Sequence, residues 1–227
     1  MTCCNRITHS RGFTIIELMI TLAITSVLVL GAITFLASAH KANLVQSAIS
    51  GLGVSGRFGL DQVARDIRMS GYRESDWMLG ALNNAISSID RVSAAGGDSL
   101  TVLYEGVRDC TYALAPGGVV TNTYQVTDGV LECNGQPITR GVQEMQVYFG
   151  EDTDNNRVAN HWLAPSAAGL DMSRVVSVRI HLLVRTDAND ISSGPQAYYF
   201  DQQLQAAVDD GQIRREYSVT VAMRNPT

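Results

Sequence analysis

Positions 1–12 are mostly polar, and the stretch from Phe13 to Ala37 is predominantly apolar. A run of that length, at ~1.5 Å per residue, is long enough to cross a bilayer as a helix. Arg6 and Arg11 precede it, so the N-terminus is expected on the cytoplasmic side and the remainder outside. Lys41 beyond it is a single charge and does not overturn that order. Helical character continues past Ala37 with a changed composition. Leu44, Val45, Ala48, Ile49 and Leu52 recur at three- and four-residue spacings as an apolar stripe. Arg57, Asp61 and Arg65 stand four apart as an exposed charged face. Gly51, Gly53, Gly56 and Gly59 each weaken a helix by up to ~1 kcal/mol relative to Ala, so a bend or loosened turn near 50–60 is expected. Gly71 supplies the C-cap. A straight helix from Phe13 to Ser70 would be ~87 Å long, half of it for the membrane and half for packing on a domain.

Beyond Gly71 the hydrophobic period drops to two. Leu100–Tyr104 is a short strand, and Tyr124–Val126 with Val130–Glu132 forms a hairpin around Asp128-Gly129. Met145, Val147 and Phe149 alternate with Gln146 and Tyr148. Val176, Val178, Ile180, Leu182 and Val184 share one face of a strand, and Ser177, Arg179, His181 and Arg185 share the other, outer one. Tyr217, Val219, Val221 and Met223 point inward from a last strand. Residues 80–98 and 186–212 read as loops with short helices. The expected class is α+β, with a long N-terminal helix packed on an antiparallel sheet domain. Its parts are a leader at 1–12, a transmembrane stretch at 13–37, the exported half of the helix at 38–71, and a β-rich globular domain at 72–227.

Glu17 changes the meaning of the apolar run. A secretory signal would also have a basic start, and Ala37-Ser38-Ala39 imitates its cleavage site. The run is too long for such a signal, which has no need of a carboxylate. A lone acid at membrane depth costs a few kcal/mol and marks a functional site. Gly12-Phe13-Thr14-Ile15-Ile16-Glu17-Leu18 resembles the prepilin processing motif of type IV pilins and secretion pseudopilins. The resemblance implies that a prepilin peptidase cuts after Gly12 and N-methylates Phe13. Glu17 then pairs with the new N-terminal amine of a neighbouring subunit, because two charges desolvated together cost far less than one alone.

Further segments resemble one branch, the PilW-type minor pilins. They include Gly56-Arg57-Phe58, the run from Arg68 to Tyr72, Cys110 and Cys133 flanking Thr121-Asn122-Thr123-Tyr124, Gly141–Tyr148, and Arg214–Tyr217 through Asn225. Arg73-Glu74 stand where relatives often carry a Cys, so an extra disulfide from that position is absent. The resemblance implies a pilin-like fold and a role in starting or capping type IV pilus assembly at a filament tip. Its implied partners are other minor pilins, the major pilin, the prepilin peptidase and an inner-membrane assembly platform. The globular domain is then periplasmic and later extracellular. A J-like pseudopilin of a type II secretion system is the alternative, and a tip adhesin or ligand-binding module comes from a different class.

Charge and cysteines fit export. Net charge is −5, and loss of Arg6 and Arg11 with the leader takes it to −7. Arg214-Arg215 is the only local basic pair, so the footprint of a nucleic-acid binder is missing. Cys3 and Cys4 fall in the leader, where lipidation would not reach the mature chain. In an oxidising space Cys110 and Cys133 form a disulfide closing a loop of roughly 22 residues, worth on the order of 3 kcal/mol; otherwise they are two buried thiols.

Candidate chemistry is sparse. Asp152, Asp154 and Asn156 alternate as in the first half of a calcium-binding loop. Arg157 replaces the turn glycine, and Leu163 stands at the place of the bidentate Glu, so a solvated acidic turn competes with a calcium site. No other cofactor is indicated. His9, His40, His161 and His181 lack nucleophile partners, no Ser sits in a Gly-x-Ser-x-Gly elbow, and the Gly-rich runs lack a following Lys-Ser/Thr. An enzyme is not expected.

Overall fold

A computed structural model describes residues 12–74, 82, 85–90, 96–189 and 191–225. The leader positions 1–11, with Cys3, Cys4 and His9, lie outside them, as does part of the 80–98 stretch. The chain divides into two compact units, Met1–Gln46 and Ser47–Thr227.

Helix α1 runs from Ile15 to Met69 without a break. The glycines expected to loosen it near 50–60 instead let it pack closely. A methyl group added at Gly56 would overlap the Tyr217 ring, and one at Gly59 would lie 3.1–3.3 Å from Leu131, Thr139 and Leu182. Close approach to the strands offsets their weak helix propensity. Leu52, Leu60, Val63, Ala64 and Ile67 are buried along the same stretch, while Arg57, Asp61 and Arg65 are exposed as expected. Gly71 ends the helix in the left-handed region at φ 75°, with the Tyr72 N–H donating to the Met69 carbonyl at 2.9 Å.

The strands are β1 (Ile86–Ile89), β2 (Gly96–Gly97), β3 (Ser99–Glu105), β4 (Val119–Thr127), β5 (Val130–Cys133) and β6 (Gln136–Arg140). They continue as β7 (Val142–Glu151), β8 (His161–Leu163), β9 (Val175–Arg185), β10 (Gln196–Phe200), β11 (Gln203–Val208) and β12 (Arg214–Ala222). One sheet has the order β1-β3-β4-β5-β6, and a second the order β12-β9-β7-β2, with β8 also on β7. Pairing is antiparallel except between β2 and β7. The β4–β5 hairpin turns at Asp128 and Gly129, both with positive φ, in the geometry that matches strand twist. Leu100, Tyr124, Leu131, Met145, Val147, Phe149, Ile180 and Leu182 form the core with the helix.

Three expectations need correction. First, 186–212 holds the hairpin β10–β11, and 80–98 contributes strands β1 and β2. Second, the α1 glycines do not interrupt the helix. Third, His181 is not on an open face, for it is only 4% exposed. It lies on the side of β9 away from the core, but that side is covered. The Tyr148 ring meets it edge-on at 5.8 Å, and Tyr148 itself donates at 2.5 Å to Asp201 in the β10–β11 turn. Leu183 on the same side is fully buried, so β9 is enclosed on both faces.

Candidate functional site

Among its described residues, the first unit presents an apolar helix whose side chains are largely exposed. Thr14 caps it: the Glu17 N–H donates to Thr14 Oγ1 at 3.3 Å, and the Leu18 N–H to the Thr14 carbonyl at 3.1 Å. Thr14-Ile15-Ile16-Glu17 is therefore also the spacing of a capping box, with the acid at the positive end of the helix dipole. That gives Glu17 a local role beside any intermolecular one. Among the described residues its carboxylate has no partner. Phe13 is 85% exposed, and no residue in the most apolar 18-residue window of α1 is buried. Even the hydroxyls here are satisfied locally. Thr21, Thr25, Ser26, Thr34 and Ser38 all donate to carbonyls three or four residues earlier. A helix whose polar groups close on themselves suits a hydrocarbon environment.

The second unit is organised around another acid on α1. Asp66 is buried, and its Oδ2 accepts from Tyr124 Oη at 2.6 Å and from Asn122 Nδ2 at 2.5 Å. Tyr104 Oη donates to its other oxygen at 3.5 Å. Burial, reinforced by this carboxylate, pushes the Tyr104 phenol up to about 12 and raises Tyr124 further. Asn122 Oδ1 accepts from the Cys110 N–H at 3.0 Å, and Cys110 is disulfide-bonded to Cys133, with Cα atoms 6.3 Å apart. Helix, sheet and disulfide thus meet in one polar network. Asp66 carried no mark in the sequence beyond being an acid four residues from Gln62 and one from Ile67, within a buried stripe.

The acidic loop closes on itself. Asp152 accepts from the N–H groups of Asp154 and Asn156, each at 3.2 Å, and of Arg157 at 2.6 Å. Burial works against its charge, yet these bonds outweigh it and hold the carboxyl below its ordinary range. Asn156 donates to Asp154 at 3.0 Å and accepts from the Val158 N–H at 2.7 Å. Among the described residues no three His, Cys, Asp or Glu side chains gather as metal ligands. His161 lies 3.4 Å from Glu151, and Arg179 stacks over Trp162 at 4.0 Å. His181 Nδ1 contacts Glu216, while its Nε2 has no partner among the described residues. Nothing in either cluster places a nucleophile beside a base.

A long apolar helix with a partnerless acid in its first turn, followed by a helix half packed on antiparallel sheets, defines a pilin-like protein. A type IV-like pilin from Thermus thermophilus has this fold, with 17% identity, a TM-score of 0.50, and 77% of this chain and 96% of that one covered. A complex of two pseudopilins from the type 2 secretion system of Vibrio vulnificus aligns at 14% identity and a TM-score of 0.39, covering 77% and 94%. No curated protein matches. Residues 7–33 match the prokaryotic N-terminal methylation motif, and residues 119–225 match type IV pilus-assembly protein W. Over these residues the chain is similar to PilW-type pilus-assembly proteins, a structural and not an enzymatic class, and it carries the N-terminal methylation motif.

Proposed function

We propose that this chain is a minor pilin that starts or caps pilus assembly at the filament tip. In this reading it enters the inner membrane with its N-terminus cytoplasmic. A prepilin peptidase cuts after Gly12 and methylates Phe13, and residues 13–37 span the bilayer while the domain from residue 72 faces the periplasm. Other minor pilins, the major pilin and the assembly platform then receive it. One observation carries the reading: an apolar helix bears a carboxylate that nothing in the described chain neutralises. A methylated terminal amine from an adjacent subunit would do so, and desolvating the two together is far cheaper than leaving either alone.

The capping geometry shapes the test. Glu17→Gln keeps a side chain suited to the capping box and removes only the charge. Both Glu17→Gln and Glu17→Ala should yield processed chain beginning at Phe13, and neither should support surface filaments. Normal filaments with Glu17→Gln would show that the acid serves only the helix end. Intact filaments with lost protein secretion would move the chain to the pseudopilin class.

A further inference from the structure

A groove of about 350 Å³ lies within the second unit, between α1 and β12. Ile49, Gly53, Val54 and Arg57 line it from the helix, and Arg215 and Tyr217 from the strand. Its floor exists because glycines admit the Tyr217 ring: Gly56 lies under the ring, and a methyl at Gly53 would stand 3.8 Å from its hydroxyl. Val54 on the rim is 68% exposed.

Among the described residues the two rim arginines have no anion. Neither Arg57 nor Arg215 forms an ion pair or side-chain hydrogen bond among the described residues, although Asp61 stands one turn from Arg57. Arg214 next to Arg215 contrasts with it, being held by Asp210 and by Gln143 at 2.8 Å. Glu216 is turned to the opposite side of β12, onto His181. Two unpaired guanidinium groups on either side of an apolar furrow, in a chain of net charge −5, are complementary to an apolar segment carrying a carboxylate.

We infer that this groove docks a carboxylate-bearing apolar segment of another pilin-like subunit, with Arg57 and Arg215 clasping the acid. The inference rests on the assembly reading above, which supplies the kind of partner. Charge chooses among occupants, since a second copy of this acidic chain gains less than a partner whose docking segment concentrates its carboxylates against the arginines.

The test uses full-length chain in its own envelope, with a photo-crosslinking amino acid at Val54. The expected product is a crosslinked peptide from a different pilin-like subunit that contains Asp or Glu. R57E/R215E should reduce that product about tenfold, the equivalent of one lost charge-assisted contact, and changing the mapped acid to Lys should restore it. Both arginines are exposed, so an unchanged melting temperature in R57E/R215E and in R57Q/R215Q confirms that folding is intact. A product with lipid, with a second copy, or with a peptide lacking an acid overturns the inference. So does absence of a product in folded chain, or a yield indifferent to charge reversal. Wild-type filaments formed in the same cells keep this result separate from failure of the assembly reading, which the Glu17 variants decide.

Discussion

Glu17 and Asp66 are two acids on one helix, and the chain treats them oppositely. Asp66 is 5% exposed and accepts hydrogen bonds from Tyr104, Asn122 and Tyr124, all on β3 and β4. Glu17 stands on an apolar surface where every neighbouring large side chain is exposed, and the described chain offers its carboxylate no donor. An acid can be kept in apolar surroundings only if something compensates its charge. For Asp66 the compensation is intramolecular, so it belongs to folding. For Glu17 it has to arrive from another molecule, so it belongs to assembly.

The largest effect that could break this contrast is on Asp66. Asp66→Ala leaves the Tyr124 hydroxyl buried without its acceptor and the Asn122 amide with only the 3.3 Å contact to Tyr104 Oη, and should lower unfolding free energy by about 3–4 kcal/mol. Glu17→Ala in the same denaturant titration should leave the transition of the sheet domain where it was. Equal melting of wild type and Asp66→Ala would mean that the polar network is incidental to the packing around it.

Next in size is the disulfide. Cys110→Ser with Cys133→Ser should cost about 3 kcal/mol for a loop of this size. Because Asn122 ties the Cys110 N–H to Asp66, the triple variant with Asp66→Ala should lose less than the sum. Strict additivity in a double-mutant cycle would show that bridge and acid act separately.

Those two networks differ in how visible they were beforehand. The motif around Glu17, the long apolar run and the alternating strands β7, β9 and β12 are local patterns, and each appears where its period places it. Asp128-Gly129 announced its hairpin because glycine and aspartate tolerate positive φ. Asn134-Gly135 sent the same signal between β5 and β6 and could have been used, though Pro137 argued against a strand there. The β10–β11 hairpin was hidden because its turn residues, Asp201 and Gln202, take positive φ without a glycine and are held from outside by Tyr148. The glycines of α1 misled for a related reason: propensity describes an isolated helix, and only tertiary contact with Tyr217 and Leu182 shows what their missing side chains allow. Asp66 was silent because its partners lie 38 to 58 residues away. Asp152, Asp154 and Asn156 were visible as a spacing, but spacing alone does not reveal that Asp152 caps three amides of its own loop.

A third carboxylate sharpens the contrast with the smallest effect. Asp210 is partnered by a cation instead of neutral donors: Arg214, itself largely buried, reaches it with two nitrogens. Those bonds lower its carboxyl from 3.8 to about 2, against the opposing effect of burial and with help from the Gln212 N–H. A depressed acid stabilises the fold above its unfolded value and loses that contribution as pH falls through the folded one. Asp210→Asn should therefore be less stable than wild type by about 1–2 kcal/mol at neutral pH. The gap should hold down to about pH 4, shrink as the pH approaches 2, and close below it, because wild type then carries a protonated Asp210. Urea midpoints for both proteins across that range are the measurement. A gap of constant size would mean that Arg214 is held by Gln143 and Tyr198 alone, and that the Asp210 charge adds nothing to the fold.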